Sequence, residues 1–232
     1  MQRDGGAGTM GGMEHTKLSR ADASAAVTRL GWRYVLGEFR TEVLTGSLPL
    51  AADVAARAAA VPDVEGHLRM DIRADRLLLA LQTTEQGWVT THDAELARQL
   101  SALTQEFRLT TQPGDRTVQV LELGIDALDI AKIRPFWKAV LGYTDEAEGR
   151  NGLVDPLGQG PAVWFQQMDA PRSQRNRIHV DVSVPHDEAP LRIEATLAAG
   201  GTVQSDAAAP AFWVLADPEG NEACVTTWQG RD

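Results

Sequence analysis

The chain has 232 residues, 43% hydrophobic and 23% charged, which is enough for one or two domains whose cores need neither disulfides nor a structural metal. Its 22 basic and 32 acidic side chains give a formal charge of −10, excluding the phosphate-neutralising field behind most non-specific nucleic-acid affinity. No run approaches the ~20 apolar residues of a membrane-spanning helix, and the single Cys224 excludes an internal disulfide framework and a multi-cysteine zinc site, so the expected location is cytoplasmic.

Residues 1–18 are Gly- and Met-rich without apolar periodicity and read as a disordered leader. Ser19 and Asp22 have capping-box spacing, predicting a helix that runs to about Leu30 and stops at Gly31. Two β-like runs, 32–36 and 38–44, divide at Gly37 as a hairpin. Ala-rich 48–60 has strong helix propensity and Pro62 blocks its continuation. Runs 67–73 and 76–82 form a second strand pair turning at Ala74 and Asp75. Thr90 and Asp93 cap a helix with the apolar stripe Leu96, Leu100, Leu103 and Phe107. The order is αββαββα over 19–107, and 108–117, with its Pro113-Gly114 turn pair, reads as a linker.

In the second half, 118–125 reads as a strand, 129–141 as an amphipathic helix and 162–168 as a strand. Strand 177–184, helix 189–199 closed by Gly200-Gly201, and strands 212–215 and 222–228 follow. Asp155-Pro-Leu-Gly158 and Asp217-Pro-Glu-Gly220 each precede a late strand, so residues 118–232 read as an internal duplication. The fold class is α+β.

The first half resembles the pterin-4a-carbinolamine dehydratase family, through the run from Glu65 to Leu81, Gln82-Thr-Thr-Glu-Gln-Gly-Trp-Val-Thr90, and the pattern Thr90, Asp93, Leu96, Ala97. The resemblance implies an antiparallel four-stranded sheet with helices on one face. Family members carry His-His-Pro where this chain has Gly66-His67-Leu68, and a third histidine where it has Thr84. Carbinolamine dehydration needs groups that protonate the departing hydroxyl and take up a ring proton, work suited to imidazoles. His67 is the remaining candidate catalytic residue, so the domain reads either as a degenerate scaffold or as a residual 4a-hydroxytetrahydrobiopterin dehydratase.

The second half resembles the glyoxalase-like branch of the vicinal oxygen chelate superfamily, through Phe136-Trp137-x-x-Val140-Leu-Gly-Tyr143, Asn176-Arg-Ile-His-Val-Asp181 and Asp217-Pro-Glu-Gly-Asn-Glu222. The resemblance implies paired βαβββ units forming a cup, with metal ligands at Glu122, Gln166, His179 and Glu222; a slip of one residue brings Phe165 or Gln167 to the place of Gln166. Residues two apart share a strand face, and this parity independently puts His179 and Glu222 on polar faces, with Leu121, Leu123, Ile125, Val163, Phe165, Ile178, Val180 and Val182 on the opposite, helix-packed faces. Such a ligand set suits Zn, Ni, Mn or Fe(II), with Glu222 or Glu122 moving the proton. Trp164, Asp181, Cys224 and Arg177 are candidate substrate-binding residues, while His15, His92 and His186 are assigned no role.

The expected function is a small-molecule enzyme of lyase, isomerase or dioxygenase class. The alternative is a non-catalytic binding protein of the glyoxalase/bleomycin-resistance type. A homodimer is expected, with no nucleic-acid or membrane partner.

Overall fold

A computed structural model describes residues 15–114, 118–147, 151–171 and 178–230. The chain divides into two compact units, Met1–Val120 and Leu121–Asp232, each with its own apolar core.

The first unit runs α1 (Arg20–Thr28), β1 (Arg33–Val35), β2 (Glu38–Leu44), α2 (Leu48–Ala59), β3 (Leu68–Ile72), β4 (Arg76–Leu81), a 3-10 turn at Thr84–Gln86, α3 (Thr91–Glu106) and β5 (Thr111–Gln112). Side-chain caps set the helix starts: the Asp22 N–H donates to Ser19 Oγ at 3.2 Å and the Leu50 N–H to Ser47 Oγ at 3.5 Å, covering N–H groups that have no partner inside the helix. The antiparallel sheet has the order β1-β2-β4-β3. Alternation sends Phe39, Val43, Leu77, Leu79 and Leu81 into one core with Val27, Val54, Leu96 and Leu100 of the helices. On the other face Glu38 pairs with Arg40 and Arg69, and the nearly buried Glu42 with Arg76 at 3.0 Å.

Both ends of this unit reach further than periodicity indicates. Lys17 forms a β-bridge with Thr90, the Leu18 N–H donates to Val89 O at 3.1 Å and the Thr91 N–H to Thr16 O at 2.9 Å, so residues 16–18 are paired although they fall in the expected leader; residues 1–14 lie outside the described residues. Thr111 and Gln112, within the expected linker, pair with Val43 and Glu42 as β5. Their attachment is polar: Thr111 Oγ1 donates to Leu30 O at 2.6 Å and Thr41 Oγ1 to Gln112 O at 3.1 Å. A two-residue strand held by backbone and hydroxyl groups leaves no apolar period to read.

The second unit contains β6 (Glu122–Ala127), α4 (Ile130–Leu141), β7 (Thr144–Asp145), β8 (Leu153–Val154), β9 (Ala162–Gln167), β10 (Val180–Ser183), α5 (Ala189–Ala198), β11 (Thr202–Ser205), β12 (Phe212–Ala216) and β13 (Glu222–Thr226). Its sheets have the equivalent orders β6-β9-β8-β7 and β10-β13-β12-β11. In each, the first strand lies parallel to the fourth while the third pairs antiparallel with its neighbours. These are two βαβββ units, and Ile133, Phe136, Trp137, Val140, Leu215 and Val225 meet in one core between them. The short β7, β8 and β11 escape periodicity; β7 and β11 are exposed throughout.

The two Asp-Pro repeats fold alike. Asp155 Oδ1 accepts the Leu157 N–H and Asp217 Oδ1 the Glu219 N–H, both at 2.9 Å, while the Gly158 and Gly220 N–H groups donate to the carbonyls of Asp155 and Asp217. Both glycines have positive φ, 65° and 88°, which only glycine adopts without strain. Among the described residues no helix is long and apolar enough to cross a membrane.

Gly31 (φ 80°) would place an added Cβ 2.0 Å from Thr111 O, whereas Gly66 (φ 75°) has open space around it. Gly31→Ala is therefore expected to lower unfolding free energy by roughly 3 kcal/mol or more, against about 1 kcal/mol for Gly66→Ala. Equilibrium urea denaturation checks both, and equal losses would contradict the β5 attachment.

Candidate functional site

The site grows from one parallel strand pair. β10 and β13 align Val180 with Ala223, Asp181 with Cys224, Val182 with Val225 and Ser183 with Thr226. Ala223 and Val225 are fully buried, and Val180 packs against the same core. Alternation then turns Asp181, Ser183, Glu222, Cys224 and Thr226 to the opposite face. His179, one residue before this register begins, extends the same set. The Ser183 and Thr226 hydroxyls hydrogen-bond at 2.7 Å and close one end of the polar row.

His179, Asp181 and Cys224 each offer one ligand atom, and these atoms all lie within 4.8 Å of one another. The first two side chains are exposed and Cys224 is buried, on a strand flanked by β10 and β12. A tetrahedral zinc ion with ligands at 2.0–2.3 Å sets its donors roughly 3.5 Å apart, so contraction by about 1 Å closes the triangle around an ion. A nitrogen, an oxygen and a thiolate sulfur fit a borderline cation of the zinc type better than a hard one.

Of the four residues expected as ligands, His179 is in this group, beside Asp181 and Cys224, which the sequence placed among substrate contacts. Glu222 shares their face but its carboxylate is not in the convergent group. Glu122 is not in it either, and the β6–β9 register sets Glu122 opposite Ala162 and Gln166 opposite Asp126, which separates Glu122 from Gln166 by four residues, about 13 Å along the strand. Ile178 and Leu121, expected on helix-packed faces, are 84% and 65% exposed, because β10 starts at Val180 and β6 at Glu122, leaving both outside the alternating frame. Arg177 lies outside the described residues.

Trp164 is on the expected open face, 43% exposed, in register with Gly124. A Cβ at Gly124 would come within 2.8 Å of the indole, so the missing side chain lets the ring lie against the β6 backbone. Phe165 and Val163 point into the core, as parity requires.

Asp217 fixes the approach to β13. It is 3% exposed; Oδ1 accepts the Glu219 and Asn221 N–H groups, both at 2.9 Å, and Oδ2 accepts Trp137 Nε1–H at 3.0 Å and Asn221 Nδ2–H at 2.9 Å. The sequence marked this residue as part of a repeat and of a family motif, without a role. The turn before Glu222 is thus tied to the core side of α4.

In the first unit His67 meets a partner that the sequence marked as a helix cap and as part of a family pattern. Asp93 Oδ1 lies 2.8 Å from His67 Nδ1, while Oδ2 accepts the Thr90 N–H at 2.7 Å and Thr83 Oγ1–H at 2.7 Å. Asp93 is fully buried. His15 and His92, assigned no role from sequence, have ring centroids 6.4 and 4.7 Å from His67.

Asp217→Ala leaves several buried donors without an acceptor and is expected to cost about 3 kcal/mol, read by denaturation together with a change in Trp137 fluorescence. Asp155 behaves differently with pH: burial raises its pKa, but N–H donation from Gly160, Leu157 and Gln159 outweighs this and holds the carboxyl below its ordinary value. A lowered folded pKa means that the turn's contribution is complete above the unfolded pKa and lost as pH falls through the folded one. The amide resonances of Leu157, Gln159 and Gly160 are expected to shift together with one midpoint below that of an unperturbed aspartate.

Residues 122–226 match the family model of the glyoxalase-like domain. No curated protein matches the chain. Similar solved structures include a glyoxalase/bleomycin resistance protein/dioxygenase family enzyme from Burkholderia phytofirmans PsJN, 17% identical over 46% of this chain and 95% of that one, with a TM-score of 0.38. The fosfomycin resistance protein FosX from Mesorhizobium loti is 9% identical over 49% and 95%, with a TM-score of 0.40. A mutant FosX from Listeria monocytogenes, complexed with Mn(II) and a dihydroxypropylphosphonic acid, is 10% identical over 47% and 89%, with a TM-score of 0.38. The family match thus falls on the second unit alone, over the two βαβββ repeats.

Proposed function

We propose that the second unit is a small-molecule enzyme of lyase, isomerase or dioxygenase class whose site is the open face of β10 and β13. The observation that carries this reading is the convergence of the His179, Asp181 and Cys224 ligand atoms within 4.8 Å. These three side chains would hold a divalent cation, which when bound supplies Lewis acidity to a substrate carbonyl or enediolate oxygen. His179 and Asp181, at the exposed edge strand, leave the solvent side open for substrate. Cys224 anchors the set because its strand is hydrogen-bonded on both sides.

Glu222, two residues before Cys224 on the same face, serves as the proton carrier. It stands on the same face as the donor triangle, where a carboxylate can do general acid–base work. Glu122, exposed on the other sheet, is the alternative carrier.

A second reading, a binding protein without turnover, draws on Trp164. An exposed indole set against Gly124 offers a stacking platform for a planar ligand. Residual dehydratase activity in the first unit rests on His67 and its Asp93 partner alone.

Elemental analysis of the purified protein separates the first two readings. The enzyme reading expects a divalent ion that is lost in His179→Ala and Cys224→Ala and retained in Glu122→Gln; a metal content insensitive to His179→Ala and Cys224→Ala sinks it in favour of the binder. For the dehydratase, a carbinolamine dehydration rate equal to buffer, or unchanged by His67→Ala, removes the reading.

A further inference from the structure

The donors of the second unit stand on β10 and β13, and β10 is the edge of its sheet, so the sheet surface next to them is β12. The antiparallel register sets Val214 opposite Cys224 and Phe212 opposite Thr226. Trp213 and Leu215 pack in the core, and alternation turns Phe212, Val214 and Ala216 to the face that carries the donors. The chemistry of this face therefore changes across a single strand spacing of about 4.8 Å, from ligand atoms to phenyl, isopropyl and methyl groups.

The apolar strip is open to a ligand and narrow. Phe212 is 36% exposed and Val214 partly buried, so both present surface. On the far side β11 brings Thr202 beside Ala216 and Ser205 beside Val214, both exposed, and polarity returns. A strip one strand wide takes one ring rather than a fused ring system. Cys224 is buried between its cross-strand neighbours Asp181 and Val214, so the strip begins against the thiol itself. Phe212 is the diagonal neighbour of Cys224, about 7–8 Å away, within reach of a ring bonded directly to a chelating group.

We propose that the substrate of this site carries one planar apolar ring bonded directly to its oxygen-donor head, and that Phe212 and Val214 determine this specificity. The inference rests on the metal-site reading given above and adds the substrate class to it. The cation at His179, Asp181 and Cys224 holds the head, while the ring packs against the Phe212 phenyl group and Val214. Removal of the ring's apolar surface from water supplies the preference.

The test uses the full chain loaded with zinc and two hydroxamic acids that share one chelating head: acetohydroxamic acid, with a methyl group, and benzohydroxamic acid, with a phenyl ring. Calorimetric titration is expected to show benzohydroxamic acid binding about 10-fold more tightly. In Phe212→Ala, at an exposed position, the advantage is expected to fall to about 2-fold or less, with zinc content, circular dichroism and acetohydroxamic acid affinity unchanged. Val214→Thr, which keeps the side-chain shape and replaces one methyl by a hydroxyl, is expected to reduce the advantage about 2-fold. Zinc held with equal affinities for the two acids, with no binding of either, or with an advantage that survives both substitutions overturns the ring specificity and leaves the metal site standing. Failure to hold zinc overturns both.

Discussion

The register of one parallel strand pair governs the chemistry of the second unit. With Val180 opposite Ala223 and Val182 opposite Val225, apolar side chains of both strands enter one core, and the intervening residues have no choice but the open face. A slip of one residue would exchange the two sets, burying Asp181 among aliphatic groups and exposing the valines. Transferring an unpaired carboxylate into such surroundings costs far more than the slip returns. The hydrophobic core therefore selects the polar constellation.

Duplication explains how this face is supported. Each βαβββ unit builds its last strand after an Asp-Pro turn in which a carboxylate gathers neighbouring N–H groups. In the second copy the carboxylate is buried and also takes the Trp137 indole N–H, so a helix of the first copy restrains the strand that carries Glu222 and Cys224. The two copies have diverged in surface chemistry: the first presents Trp164 over Gly124, the second the His179, Asp181 and Cys224 donors.

Much of this was legible in the sequence, because the apolar periods of β2, β4, β9 and β13 are strong and their caps and Asp-Pro turns have defined chemistry. Parity correctly separated His179, Asp181 and Cys224 from the core side. It failed at Ile178 and Leu121, since alternation says nothing about where a strand begins. The grouping of ligands was not legible: periodicity fixes a face, whereas convergence depends on cross-strand register, and β6 pairs with β9 in a register that sets Glu122 and Gln166 apart. The histidine cluster of the first unit was invisible for the same reason, because its members come from the chain's start, the approach to β3 and the first turn of α3. Only folding brings them together.

The measurement closest to the central claim is a crystal structure of the zinc-soaked full-length protein with anomalous data collected at the zinc edge. The account predicts a peak within bonding distance of the His179 imidazole, an Asp181 oxygen and Cys224 Sγ. A second unit with no peak there, or with its ion held by Glu122 and Gln166, would contradict it.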